Sequence, residues 1–420
     1  MATEYRRRTV LAGCGSLLAT AVRCPPAEAG EPITIGFGEA LTGNLAVVGK
    51  SGLLAQQIWA EDVNARGGLL GRPVKLIVYD NQSDPANVPG IYTKLLDVDQ
   101  VDCVISGYAT NMTAPALPIV MAHDKLFVSL FCLAVNSAFH YPRYFSMLPS
   151  GPDPKRTFSR GFFDLAEAQN PKPTRLAIVA ADAEFARNAS DGARDNARAA
   201  GLKIVYDRTY PPSTTDFSPV LRAVRAADPE IIYVASYPAD TAGILRAANE
   251  VGVSAKLFGG NMVGLSTAAL RKELGPLLNG VVINETWVPA PTMRFPGVLA
   301  FLDRYQARAP AAGVDPLGYF LPPWAYARVQ LLEQAITATK SLEDDALADY
   351  LRTHACETIV GEVRFGTDGE WAEPRLLWTQ FQQIHGNDLT EFKNPAAEVV
   401  LLPEQYRSGT LIYPYAGAKP

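Results

Sequence analysis

Residues 33–384 alternate short apolar runs with amphipathic stretches, and this alternation occurs in two successive sets. The first set contains apolar runs at 74–79 and 101–106, and the second contains runs at 175–180 and 231–235. Strands that alternate with helices in this way predict a parallel sheet covered on both faces. A chain of 420 residues is also too long for one typical core. The sequence therefore predicts an α/β protein with two lobes.

Three segments predict where the chain crosses between the lobes. Residues 149–154 (Pro-Ser-Gly-Pro-Asp-Pro) cannot continue a strand or a helix, and residues 287–292 are similarly irregular. Segments 361–365 and 376–384 are predicted to form a hairpin around Thr367–Gly369, with the third crossing near 365–371. The expected N-terminal lobe is 30–147 plus 287–368, and the expected C-terminal lobe is 148–286 plus 369–420. Ligands of open α/β sheets bind outside the carboxyl ends of the strands, so the cleft between the lobes is the predicted site.

The N-terminus predicts export. Arginines at 6–8 precede an uncharged apolar run at 9–22, and Ala27-Glu28-Ala29 follows as a small-residue cleavage motif. This order predicts a signal peptide over 1–29, cleavage near Ala29 and a periplasmic location. The adjacent arginines fit the twin-arginine route, and the Sec route is equally compatible. Cys14 ends a lipobox-like motif, but almost no apolar segment precedes it, so lipidation there is the less favoured alternative.

Several kinds of chemistry find no support in the sequence. A net charge of −5 gives no basic surface for nucleic acid. The histidines are scattered, and Cys103, Cys132 and Cys356 match no zinc spacing, so neither a metal nor a cofactor is predicted. These cysteines are expected to be buried free thiols. Residues 43–51 end in Gly-Lys-Ser like a P-loop but carry one residue too many between the glycines, so an NTPase is an unfavoured alternative to a non-enzymatic role.

The chain resembles the leucine/isoleucine/valine-type periplasmic binding proteins. The resemblance is carried, in order along the chain, by Ile33-Thr34-Ile35-Gly36, Leu41-Thr42-Gly43, 61–72, 79–85, 175–179, 215–218, 244–248 and 360–365. It implies the type I periplasmic binding protein fold, in which two flavodoxin-like (Rossmann-like) lobes are joined by three hinge crossings. It also implies the solute-binding component of an ABC importer, which captures a small polar molecule by lobe closure and docks on a membrane permease. The protein is expected to be a monomer.

The same resemblance implies where the first lobe contacts the ligand. The family's carboxylate-binding loops correspond by order to Tyr108–Asn111 and 131–133. The sequence also predicts a helix from about 111 to 122, so Thr110 and Asn111 are expected at its N-terminus, where free N–H groups favour an anion. A simple helix cap is the alternative role for Asn111. Tyr108 and Leu133 are expected to shape the wall of the site.

On the second lobe, Phe185 and Tyr237 match family positions whose rings close over the ligand, with a packed surface aromatic as the alternative. Asn261 stands where the family's amino-acid receptors carry a carboxylate for the ligand ammonium. An amide cannot supply that charge partner, and Leu133 replaces a hydroxyl. The hypothesis is therefore a carboxylate or amide without an ammonium, including an aromatic acid, with an amino acid as the family default. A ligand sensor that signals to a protein partner is the rival function, and the export signal favours transport.

Overall fold

The computed structural model describes Met1 and residues 30–415. The predicted signal peptide, the cleavage position near Ala29 and the lipidation candidate Cys14 lie outside the described residues. None of the helices in the described part is long and apolar enough to cross a membrane.

Strands and helices alternate along the described residues. The strands are β1 (Ile33–Glu39), β2 (Val74–Asp80), β3 (Cys103–Tyr108), β4 (Phe127–Leu130), β5 (Tyr144–Ser146), β6 (Arg175–Ala181), β7 (Lys203–Tyr210), β8 (Ile231–Ser236), β9 (Leu257–Met262), β10 (Val282–Glu285), β11 (Cys356–Thr358), β12 (Gly361–Val363), β13 (Leu377–Phe381) and β14 (Glu398–Leu402). The α-helices are α1 (Ala46–Ala65), α2 (Val88–Thr93), α3 (Thr110–Thr113), α4 (Leu117–Ala122), α5 (Asn136–Phe139), α6 (Pro154–Glu167), α7 (Glu184–Ala199), α8 (Ser218–Ala226), α9 (Pro238–Val251), α10 (Ala268–Leu274), α11 (Val298–Ala312), α12 (Pro322–Thr339) and α13 (Asp344–Thr353). A π-helical turn at Lys94–Val98 extends α2, and single 3-10 turns occupy Pro85–Asn87, Gly275–Leu278, Pro291–Met293, Glu391–Lys393, Pro395–Ala397 and Glu404–Tyr406.

The first lobe is built on a parallel sheet with the strand order β2-β1-β3-β4-β5. Strands β1, β3, β4 and β5 are largely buried, whereas the edge strand β2 is mostly half-buried; Ile35, Phe37 and Ile105 have no exposed surface. The later helices α11 and α12 return to this lobe and pack against α1. These helices cover the apolar face of the sheet, which would otherwise be exposed to water.

The second lobe is built on a sheet with the strand order β14-β13-β10-β9-β8-β6-β7. Strands β10, β9, β8, β6 and β7 are parallel, and β13 and β14 add an antiparallel edge. Helices α6 and α7 pack against each other on this lobe, with α6 also contacting β9 and β10.

The chain passes between the two sheets three times, in segments 147–153, 286–297 and 364–376. The predicted architecture of two lobes with three crossings is therefore confirmed. The exact lobe boundaries at 147/148, 286/287 and 368/369 concern which residues move together, and they remain a prediction.

Two details of the sequence prediction are wrong. The single helix expected from about 111 to 122 is two helices, α3 and α4, because Pro115 lacks the N–H that would continue the first one. The expected hairpin between 361–365 and 376–384 does not form. Strand β12 pairs with β11, whereas β13 pairs with β10 and β14 in the other lobe. The segment between them carries the third crossing, with one bridge between Phe365 and Trp371.

The P-loop-like segment has a packing role. Helix α1 begins at Ala46, so Gly49 lies in its first turns rather than in a loop. A Cβ on Gly49 would lie 2.2 Å from the backbone oxygen of Ala40, the residue that follows β1. Glycine is therefore required here because the helix and the end of the strand approach closely.

Candidate functional site

A cavity lies between the lobes, at the carboxyl ends of β3, β4, β9 and β10. Its empty volume, including space that is open to solvent, is about 580 Å³. The first lobe contributes Tyr108, Ala109, Thr110, Phe131, Leu133 and Phe320, the second contributes Phe158, Phe185, Tyr237, Met262, Val263, Ser266 and Asn284, and the crossings contribute Leu148 and Thr286. The position agrees with the cleft predicted from the α/β pattern.

The two loops of the first lobe are fastened to each other below the cavity. The Leu133 N–H donates to Thr110 Oγ1 over 3.0 Å, which leaves the hydroxyl hydrogen of Thr110 to donate elsewhere. Both loops carry non-glycine residues with left-handed backbone, Ala109 at φ +83° and Phe131 at φ +53°. Such conformations persist where the surrounding structure enforces them, and they concentrate at binding sites.

A buried carboxyl supports the first loop from behind. Glu39 Oε1 accepts the N–H groups of Ala40 and Tyr108 at 3.0 and 3.2 Å. Burial raises the pKa of Glu39 to about 7, although these hydrogen bonds and the charge of Arg328 act in the opposite direction. The carboxyl thus fixes the backbone of Tyr108 where β3 ends.

On the second lobe, a chain of amides determines which group faces the cavity. Asn261 is fully buried, with Oδ1 accepting from the Tyr233 hydroxyl. Its Nδ2 donates to the Phe158 carbonyl at 3.0 Å and to Asn284 Oδ1 at 2.7 Å. Because the oxygen of Asn284 is occupied, its Nδ2 remains as a donor at the cavity wall.

Two aromatic groups face each other across the cavity. In the first lobe, the ring of Phe320 lies 5.9 Å from Tyr108 and 5.2 Å from Phe131, centroid to centroid. In the second, Phe185 lies 5.9 Å from Phe158 and 5.7 Å from Tyr237. Edge and face contacts of this kind suit a flat ring between the lobes.

No Asp, Glu, Lys, Arg or His is among the described residues that line the cavity. The neighbouring carboxyl of Glu285 is committed elsewhere, to the buried Arg271 at 3.3 Å. Arg271 also pairs with Glu398 at 2.6 Å. Burial, followed by the charge of Glu398, raises the pKa of Glu285 and so favours its neutral form. An ammonium in the cavity would therefore meet no ionised partner in the wall.

The lobes contact each other directly, so the structure is a closed form. The Tyr237 hydroxyl donates to Asn111 Oδ1 at 2.8 Å, and the Phe185 N–H approaches the same oxygen at 3.5 Å. Nearby, Asn188 Nδ2 donates to the Leu133 carbonyl at 3.0 Å. These bonds connect α7 and the start of α9 to the two loops of the first lobe.

The structure gathers most of the predicted site residues at one place. Those that line the cavity are Tyr108, Thr110, Leu133, Phe185 and Tyr237. Asn111 does not line it and instead lies at the mouth as the cross-lobe acceptor. Asn261 lies behind the wall, where it orients Asn284. Direct contact of these residues with a ligand remains a prediction for the first five, and the geometry gives Asn111 and Asn261 indirect positions.

The sequence reasoning missed several wall residues, notably Asn284, Thr286, Ser266 and Phe320. Asn284 and Thr286 flank the end of β10, and a parallel strand that enters a crossing marks the ligand side of such a sheet. That signal was present in the sequence. Phe320 lies in the irregular segment before α12, and no local pattern indicates that this segment reaches the cavity.

The remaining reactive groups do not form a second centre. Cys103, Cys132 and Cys356 are free and buried, as expected from the sequence. Within residues 30–415, no group of three His, Cys, Asp or Glu side chains is placed to hold a metal ion.

Two α/β lobes that close over a cavity define a class of ligand-capturing proteins. Comparison with known proteins gives the family. Residues 32–382 match the family described as periplasmic binding protein. The Leu/Ile/Val-binding protein of Escherichia coli (strain K12) is 21% identical over 369 residues, covering 87% of this chain and 94% of that protein. An amino acid binding protein of Pseudomonas aeruginosa is 22% identical over 344 residues, covering 80% and 87%.

Solved structures agree with this fold. The branched-chain amino acid transporter substrate binding protein LivJ from Streptococcus pneumoniae, in complex with isoleucine, has a TM-score of 0.71 at 19% identity and covers 89% of this chain and 100% of its own. A solute binding protein of an ABC transporter from R. palustris, in complex with 4-hydroxybenzoate, has a TM-score of 0.73 at 17% identity, covering 85% and 94%. The chain belongs to the periplasmic binding protein family, and the resemblance noted in its sequence is confirmed.

Proposed function

We propose that this protein is the solute-binding component of an ABC importer and that it captures an aromatic carboxylate without an ammonium group. The observation that carries the ligand class is the cavity wall, which has two aromatic groups and, among residues 30–415, no Asp, Glu, Lys, Arg or His. The protein binds rather than converts its ligand. After export and removal of residues 1–29, it acts as a monomer in the periplasm and delivers the ligand to a membrane permease.

The polarity of the wall supports a carboxylate. The Thr110 hydroxyl and Asn284 Nδ2 both remain as donors, because their oxygens accept from Leu133 N and Asn261 Nδ2. A carboxylate or a phenolic oxygen accepts from such groups, whereas an ammonium can only donate. The amide that the sequence places at 261 thus acts through Asn284, by turning a donor toward the ligand.

Relatives with solved structures show that both ligand types fit the fold. One binds isoleucine and another binds 4-hydroxybenzoate. Since each is under 25% identical to this chain, the choice rests on the residues of this cavity. Aromatic contacts from both lobes and the absence of an ammonium partner favour the aromatic acid.

The test is a thermal-shift and calorimetric screen with ligands that differ by one group. 3-Phenylpropanoate and phenylalanine differ only in the ammonium, while benzoate and 4-hydroxybenzoate vary the ring. A ligand at 100 times its dissociation constant should stabilise the protein by about 2.7 kcal/mol. We expect the acids to raise the melting temperature and phenylalanine and isoleucine to leave it unchanged. Stronger binding of phenylalanine than of 3-phenylpropanoate would contradict the proposed ligand class.

A substitution at Asn284 tests the proposed ligand class more directly. Asn284→Asp introduces a carboxylate at the wall and should weaken binding of aromatic acids at least tenfold, because two anions would then face each other. The same change should improve binding of phenylalanine relative to 3-phenylpropanoate. Asn249→Asp, on the exposed side of α9, makes the same charge change away from the cavity and serves as the control. An equal preference in the two variants would remove Asn284 from the ligand site.

A further inference from the structure

Asp315, in the segment between α11 and α12, is held firmly by the first lobe. Its Oδ1 accepts the N–H groups of Leu317 and Gly318 at 2.8 and 3.0 Å. Its own N–H donates to the Ser51 hydroxyl on α1 at 3.3 Å. The residue is only 7% exposed. Its carboxylate is therefore oriented before any contact with the second lobe is considered.

The other carboxylate oxygen reaches the second lobe. Asp315 Oδ2 accepts the N–H of Ala268, the first residue of α10, over 2.7 Å. The first N–H groups of a helix have no acceptor within the helix, so this bond satisfies a group that would otherwise need water. A hydrogen bond to an ionised carboxylate is also stronger than one between neutral groups.

Both partners belong to segments that form the cavity wall. Phe320 follows Asp315 in the same segment, and Ser266 precedes Ala268 by two residues. Neither Asp315 nor Ala268 lines the cavity itself. The bond therefore fixes two wall segments against each other while remaining outside the space that a ligand would fill.

We propose that Asp315 is a closure latch, a positioning residue that stabilises the closed form and strengthens ligand binding without touching the ligand. The proposal rests on capture by lobe closure, as proposed above. When only the closed form holds ligand firmly, the apparent dissociation constant rises as the closed fraction falls. Loss of the latch should thus weaken binding and widen the separation of the lobes together.

Two substitutions remove the latch from opposite sides. Asp315→Asn can keep an oxygen toward Leu317 and Gly318 and then presents an NH2 group to the Ala268 N–H. Ala268→Pro removes that N–H, and proline is well tolerated at the first position of a helix. The extended backbone of Thr267, at φ −97° and ψ 142°, is compatible with a following proline. If one of these two variants folds poorly, the other still tests the role of the latch.

The matched control is Asp102→Asn. Asp102 Oδ2 also accepts a backbone N–H at 2.7 Å, from Thr34, but both residues belong to the first lobe. Its loss costs a comparable hydrogen bond that does not cross the cleft. Stability can fall in all three variants, whereas closure should change only in the two that break the latch.

The experiment measures the distance between nitroxide labels on the full chain, with and without 4-hydroxybenzoate, and the affinity for that acid by calorimetry. Labels replace the exposed Lys75 on β2 and Lys203 on β7, the outer strands of the two sheets. Asp315→Asn and Ala268→Pro should shift the distances away from those of the unsubstituted closed protein and weaken binding about tenfold. Asp102→Asn should leave both unchanged.

Distances and affinity that match the unsubstituted protein in Asp315→Asn and Ala268→Pro would overturn the latch. Failure of the unsubstituted protein to bind 4-hydroxybenzoate is a separate result, which contradicts the proposed ligand class. In that case the distance distributions of the unliganded proteins decide the latch, because the contact involves no ligand atom.

Discussion

At the scale of single residues, Ala109 holds a backbone conformation that its side chain opposes. Its φ of +83° and ψ of 149° fall in a region that is essentially restricted to glycine. The next residue is Thr110, which lines the cavity. The strain therefore lies where the first lobe turns from β3 into its ligand loop.

Ala109→Gly should raise the free energy of unfolding of the unliganded protein by about 1 kcal/mol, because relief of the strain exceeds the entropic cost of glycine. Urea denaturation measures the change. Ala116→Gly is the control, since Ala116 has an ordinary φ of −77°. That variant should lose about 1 kcal/mol, because glycine makes the unfolded chain more flexible and relieves no strain at this position. A loss of stability in both variants would show that Ala109 is not strained.

Only some residues of the candidate site could be predicted from the sequence. Five residues that the sequence predicts at the site line the cavity, and each follows a strand or matches a family position: Tyr108, Thr110, Leu133, Phe185 and Tyr237. Asn261 was predicted to contact the ligand directly, but it lies behind Asn284, which separates it from the cavity. The sequence of β9 shows that an asparagine is present, but it does not show whether that side chain points toward the cavity or away from it. That choice is made by the hydrogen bonds of Asn261 to the Phe158 carbonyl and the Tyr233 hydroxyl.

At the scale of elements, helix α1 requires Gly49, although glycine has a low helix propensity. Gly49→Ala should lower the free energy of unfolding by about 1–3 kcal/mol, because the new methyl would overlap the Ala40 carbonyl. Gly90→Ala in α2 is the control, with no atom within 4 Å of the new Cβ. It should gain about 1 kcal/mol from helix propensity alone. Equal gains in both variants would mean that α1 does not approach β1 closely.

Helices and strands were predictable from the sequence where their position and ends depend on their own residues. Apolar runs located β6 and β8, and glycine ended α9 at Gly252 with a left-handed cap. The hairpin error arose because a distant strand decides the pairing. Segments 361–363 and 377–381 look like the two arms of one hairpin, yet they pair in different lobes. Alternation indicates that a strand forms, and only the sheet topology determines which strand it joins.

At the scale of the whole molecule, buried carboxyls couple stability to pH. Burial raises the pKa of Glu39 in the first lobe to about 7 and that of Glu370 in the third crossing to about 8. For Glu370 the charge of Asp368 adds to burial, while the Ser146 hydroxyl acts in the opposite direction. Each folded-state pKa lies above the ordinary value of 4.5, so the folded protein binds more protons than the unfolded chain between these values.

The sign of the pH dependence follows from that difference. Well below pH 4.5 these carboxyls are neutral in both states and have no effect on the free energy of unfolding. As pH rises toward 8, the unfolded chain ionises freely while the folded protein must keep the proton or bury a charge, so stability falls. Glu370→Gln replaces the carboxyl by a neutral group of similar shape. The variant should exceed the unsubstituted protein by less than about 1 kcal/mol at pH 5 and by about 2–4 kcal/mol at pH 8.

Urea denaturation at pH 5, 6.5 and 8 measures this difference, with the exposed Glu357→Gln on β11 as the control. The control should follow the unsubstituted protein at each pH. A Glu370→Gln variant with the same decline as the unsubstituted protein would show that Glu370 ionises as readily when folded as when unfolded. A smaller decline in the Glu370→Gln variant would show that the folded protein keeps the Glu370 carboxyl neutral near pH 7. The segment that joins the lobes then becomes less stable as the medium becomes more alkaline.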